Sequence, residues 1–358
     1  MDKELTKKIE WVKEKLQGQE VQDLALFDVK EGQDGEGDDP YYKTYLKKTR
    51  ENIRENMRAL FQETEWGALT PWQKMCCYKI SGSNGVDCDA ALRSTVIYKL
   101  AFGGGEIVPK KKIYLLKHNG FILRGDTMNS YATTVREYLR SYDHEKKRVE
   151  AFLNKREKDA WEVHNCSKKN WEICVLEHYD YFEGILLEEA RTFFKLYHTV
   201  GNFIPWPDGC NVPRGSGPVK DYWDLTLKCI HQWYQDNKNL TMPSNDALLH
   251  LFGSQMVIFH DWLASYGQGM DGWDNFVKRN FLQDFVENGK PRELWGGHFD
   301  TWEKGGFTRT AAMPTGPQFK DFFANASKWI AARGERIARA VEEALAAEKS
   351  AAAREARP

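Results

Sequence analysis

The sequence predicts a mainly α protein of the α+β class: a multi-helical globular fold with one small β-hairpin near residues 112–124. Three observations carry this. Apolar residues recur at helical spacing in one segment after another. At one place, two short apolar runs flank Asn119-Gly120, a pair suited to a tight hairpin turn. Finally, 41% hydrophobic content over 358 residues, with 13 Trp, supplies enough large apolar surface for a substantial core.

Taken in order, residues 2–17 read as a short amphipathic helix within an N-terminal region of 1–31. The Gly- and Asp-rich run at 32–40 is a linker. Residues 41–345 then form a single main globular domain, followed by an Ala-rich tail at 346–358 that is expected to fray. Within the domain, Asp89–Phe102 is helical and stops at Gly103–Gly105. Ile113–Leu116 and Phe121–Leu123 are the hairpin strands. Further helices are expected at Asp221–Gln235, Ala247–Tyr266, Trp273–Val286 and Gln318–Leu345. Irregular chain is expected over the Pro- and Gly-rich segment Gly201–Pro218 and again over Gly289–Pro317.

Charge and cysteine usage exclude several classes. The net charge of −1 gives no whole-chain case for nucleic-acid binding. The basic stretch from Lys99 to Arg124 is either a solvated hairpin edge or a local anion patch. No apolar run approaches the ~18 residues of a membrane span, and seven unpatterned cysteines fit a reducing, cytoplasmic setting. His164, Cys166, Cys174 and His178 lack the short Cys pair of structural zinc sites, so no metal is expected. No cofactor fingerprint stands out.

The candidate site draws on two segments. "RGDTMNS" places Arg124, Asp126 and Thr127 where the hairpin leaves its second strand for a helix. There Arg124 can fork onto a phosphate or carboxylate, Thr127 can add a hydroxyl contact, and Asp126 can orient a base. The structural alternative is an N-cap at Asp126 or Thr127. In the second segment, His198 is a candidate proton-transfer group or a capping histidine. Asn202 offers a donor and an acceptor, and Arg214 a second guanidinium. Asp224, with Asp221, either caps the next helix or contacts ligand.

"RGDTMNS", "YHTVGNFIPWP", "NVPRG", "KDYWDLTLKCI", "FLQDFV" and "WIAARGERI", in this order, resemble a family of bacterial proteins to which no activity is assigned. The resemblance runs over roughly Leu123–Ile337. It implies a single cytoplasmic globular chain in which Arg124 and Asp126 belong to the same unit as His198, Asn202 and Arg214.

Two functional readings follow. In the first, the protein binds an anionic or nucleotide-like small molecule: Arg124, Thr127, Asn202, Arg214 and Asp224 contact a phosphate-bearing ligand, and His198 with Asp126 moves a proton. In the second, the same residues form an internal network of a non-catalytic interaction protein, a bacterial defence or toxin-system component being one version. Trp206 and the Trp295–Trp302 stretch would then be partner surfaces.

Overall fold

The computed structural model describes residues 3–17, 19, 92–110, 113–128, 187–196, 199–210, 222–236, 255–300 and 313–355. Helices dominate, and a small antiparallel sheet joins them, an α+β fold. Helix α1 (Lys3–Leu16) buries Leu5, Ile9, Val12 and Leu16, the i, i+4, i+7, i+11 stripe of an amphipathic helix. That stripe packs on α2 (Leu92–Ala101). Gly103 and Gly104, at φ +77° and +131°, end α2, and the Gly104 amide donates to the Lys99 carbonyl at 2.9 Å.

The sheet runs β1 (Glu106–Lys110), β2 (Ile113–His118), β3 (Phe121–Thr127), β4 (Phe203–Pro207), in that spatial order and antiparallel throughout. Asn119 and Gly120 both have positive φ, 47° and 83°, as the predicted two-residue turn requires. β1 is an edge strand that the sequence reading did not identify. Its Pro109 lacks a ladder donor, and Lys110 pairs with Asp208 at the start of the turn after β4.

β3 is longer than expected, and the reason is tertiary. Arg124 pairs with Trp206, Asp126 with Ile204 and Thr127 with Phe203, so "FIPWP" is a strand and not loop. Asp126 and Thr127 therefore lie inside a strand and do not leave it. Both prolines of β4 are accommodated because one of its edges is unpaired among the described residues.

The remaining elements build one aromatic core. Helix α3 (Glu188–Leu196) sets Phe193 between Phe322 and Phe323, with ring centroids at 5.7 and 5.5 Å. Helices α4 (Trp223–Asp236), α5 (Met256–Ala264) and α6 (Gly269–Arg279) contribute Trp223, Tyr234, Phe259, Trp262, Trp273 and Phe276. Trp206 of β4 meets Trp223 at 5.6 Å and Phe259 at 5.8 Å. Trp206 and Trp295 are 1% and 2% exposed, which corrects their reading as partner surfaces. Helix α6 stops at Arg279, short of the expected Val286, and a short hairpin, β5 (Val286–Glu287) and β6 (Lys290–Pro291), leads into the expected irregular stretch.

The closing helix α7 spans Gln318–Glu355, 38 residues, and continues ten residues past the expected Leu345 end. Its far end is held by α1, where Lys13 Nζ lies 2.8 Å from a Glu348 carboxylate oxygen. Alanine's high helix propensity carries the segment between. No described helix is long and apolar enough to cross a membrane.

Candidate functional site

The expected site residues divide between two places. Arg124, Asp126, Thr127 and Asn202 gather at the β3–β4 pair, where the Met128 amide donates to the Asn202 carbonyl at 2.7 Å. Strand alternation splits this set: Arg124 and Asp126 share one face, and Thr127 points to the other with Leu123 and Gly125. All four residues are engaged with neighbours, and Asn202 is fully buried. Beyond β4, burial, with Asp208 and Asp126 nearby, pushes the Cys210 thiol up to about 12. That thiol is an inert, protonated core group at neutral pH. His198 and Arg214 lie outside the described residues, as do Asp221, His164, Cys166, Cys174 and His178.

Asn202 closes a 3₁₀ turn, Val200–Asn202, that is pressed onto α7. Arg333 holds it. The guanidinium is fully buried; Nη1 donates to the carbonyls of Gly201 (2.9 Å) and Phe203 (2.6 Å) and, at 3.3 Å, of Val200. Its Nε donates to the Asn280 carbonyl at 3.0 Å. Burial draws this guanidinium down to about 10, so it stays charged at neutral pH. Gly201 is required by the same contact: a Cβ there would stand 2.0 Å from the Ile330 carbonyl oxygen. The glycine of "HTVGNF" thus permits close approach of two backbones.

Asp224 belongs to a different cluster. It is the second residue of α4 and is buried, not a solvent-facing cap. Oδ1 accepts from the Leu225 amide at 2.9 Å; Oδ2 accepts from the Leu294 amide at 2.9 Å and from His298 Nδ1 at 2.7 Å. An ionised carboxylate only accepts, so Nδ1 carries a proton. The imidazole is 0% exposed. Trp295 stacks on it at 3.6 Å and 26°, and Tyr222 meets it edge-on at 5.0 Å and 84°. Its other nitrogen, Nε2, is buried and has no hydrogen-bond partner.

The local chain explains how His298 is placed. Glu293 accepts from the Gly297 amide (3.2 Å) and the Phe299 amide (2.6 Å), folding residues 293–299 into a tight turn. Asn325 of α7 donates to the Leu294 carbonyl at 2.9 Å, fixing that turn to the long helix. Gly296 and Gly297, just before His298, are exposed. Among the described residues, no group of three or more His, Cys, Asp or Glu side chains is placed to hold a metal ion.

Neither His298 nor Arg333 was singled out from sequence. His298 sits in a stretch without periodicity, and its partner is 74 residues away. Arg333 did leave a signal: it falls on the apolar stripe Ala326, Ile330, Ile337, Val341 of α7, where a charge has to be satisfied internally.

A model of a family of unknown function, DUF6994, matches residues 144–337, more than half of the chain. The chain belongs to this family. No curated protein and no solved structure matches it. The DUF6994 match includes Asn202, Asp224, His298 and Arg333 and begins after "RGDTMNS", so Arg124, Asp126 and Thr127 lie outside it. The start expected near Leu123 moves to residue 144 accordingly.

Proposed function

We propose that this DUF6994 protein binds an anionic or nucleotide-like small molecule, with His298 on Asp224 as the polar centre. The observation that carries the reading is the unpartnered Nε2. Leaving a buried ring nitrogen unpaired costs about 1–3 kcal/mol. A ligand atom that pairs with it recovers that cost. The neutral ring accepts a hydrogen bond at Nε2, and the cationic ring donates one to an anionic oxygen. Trp295, Tyr222 and Phe299 surround the imidazole and hold its plane. The Gly296–Gly297 turn, one residue from His298, is exposed.

The ligand class is the one expected from Arg124, Thr127, Asn202, Arg214 and Asp224, with His298 added because it contacts Asp224. A second reading applies to the Asn202 end. There the carbonyl clamp of Arg333 favours an internal scaffold, since its hydrogen bonds join two parts of the chain and leave Asn202 no exposed surface.

The test is thermal melting of the full chain with inorganic phosphate, ADP and adenosine, alongside His298→Gln. A ligand at 100 times its Kd stabilises by about 2.7 kcal/mol. The wild type is expected to gain melting temperature with ADP and the variant to gain none. Equal shifts in both, or no shift in the wild type with any of the three, would remove His298 from the site.

A further inference from the structure

We infer that His298 is a general base positioned by Asp224, taking a proton from an O–H of the bound ligand or of a water held beside it. This rests on His298 being the polar centre proposed above, and adds a chemical step to it.

A base has to present a lone pair in a fixed direction, and three features fix this one. Asp224 accepts the Nδ1 proton at 2.7 Å, so in the neutral ring the lone pair is on Nε2. Asp224 cannot rotate away, because two backbone amides, those of Leu225 and Leu294, hold its two oxygens at 2.9 Å. The ring cannot tilt, because Trp295 covers one face and Tyr222 abuts it edge-on. A histidine serving only to tie α4 to the 293–299 turn needs the Asp224 contact alone. Here the second nitrogen is also held in a fixed direction and has no partner.

The step balances simply. The O–H bond breaks, its electron pair stays on oxygen, and the proton bonds to Nε2. The resulting imidazolium lies between the Asp224 carboxylate and the face of Trp295, both of which favour positive charge. The oxygen left behind is a nucleophile. Asp224 touches no reacting atom and is a positioning residue.

The test is the reaction of the full chain with diethyl pyrocarbonate, followed residue by residue by peptide mass mapping. This reagent adds only to an unprotonated ring nitrogen. His298, 0% exposed, is expected to be labelled once, at Nε2, and more slowly than the partly exposed His118. Asp224→Asn replaces the anionic acceptor of Nδ1 by a neutral one and so weakens the hold on the Nδ1 proton. The equivalent change in a serine-protease triad costs about 10⁴-fold in turnover, so His298 labelling is expected to slow by on the order of tenfold or more. Ring nitrogen NMR shifts of the wild type supply a measurement independent of the variant's folding, and are expected to show the Nδ1–H form. An Nε2–H tautomer in the wild type or an unchanged rate in a folded Asp224→Asn would each overturn the inference. The two proposals separate cleanly. ADP stabilisation with an Nε2–H tautomer in the wild type sinks the base alone, whereas an Nδ1–H His298 in a protein that ADP does not stabilise sinks the ligand class.

Discussion

Arg333 and the Asp224–His298 pair are both fully buried, yet they satisfy their charge in opposite ways. Arg333 has no carboxylate partner among the described residues; it spends Nε and Nη1 on four main-chain carbonyls from two separate parts of the chain. Its hydrogen bonds join a 3₁₀ turn, the start of β4 and the end of α6 to α7. Asp224 and His298 use a side-chain pair, locked by two amides and two aromatic rings, and leave one nitrogen over. The first arrangement maximises ties between backbone segments, the mark of a structural clamp. The second fixes a single polar atom in space and gives it nothing to do within the described fold. Arg333 also leaves one buried nitrogen, Nη2, without a partner; the functional proposal rests on His298 because a neutral imidazole nitrogen can accept a proton and a guanidinium cannot.

Breaking the clamp gives the largest expected effect. Arg333→Met fills similar volume but leaves four carbonyls without their donor, and a loss of about 4 kcal/mol is expected. Urea unfolding would register this as a lower midpoint. A loss below about 1 kcal/mol would mean that the carbonyls find other donors and that the clamp is dispensable. Ligand stabilisation, measured on whatever folded protein remains, should be unaffected.

Gly201→Ala tests the same junction from the opposite side. Its methyl would meet the Ile330 carbonyl oxygen and the Gly334 amide, so α7 has to shift, at an expected cost of about 1–3 kcal/mol. Differential scanning calorimetry of the variant checks it. A neutral result would show that the turn tolerates displacement from α7, weakening the scaffold reading of Asn202.

The smallest stability change is expected at the other centre. His298→Gln removes one hydrogen bond to Asp224, which keeps both amide donors, so a loss near 1 kcal/mol is expected. The comparison is sharpened if this mild variant loses ADP stabilisation entirely and the severe Arg333 variant retains it. It dissolves if His298→Gln costs as much as Arg333→Met.

Parts of this were legible in the residues themselves. The helical stripes of α1, α4 and α7 could be read because amphipathic spacing records burial along a single element. The turn at Asn119-Gly120 could be read because positive φ at two successive residues restricts the choice of side chain. Arg124, Asp126 and Asn202 could be grouped in advance, and the β3–β4 pairing places them together. Their division between faces was implicit in strand alternation, but became visible only once β3 was known to extend through Thr127.

Local residue patterns thus set the mainly α class, the position of the hairpin and the apolar face of each long helix. All are properties of neighbours within a few residues of one another. Tertiary structure alone decided that "FIPWP" is a strand, that the Ala-rich end of α7 is held helical against Lys13, and that Asp224 faces His298 and not solvent. Each depends on a contact between residues far apart in the chain. Such a contact leaves no periodicity behind, because either partner alone is an ordinary aspartate, histidine or lysine until the fold brings the other within reach.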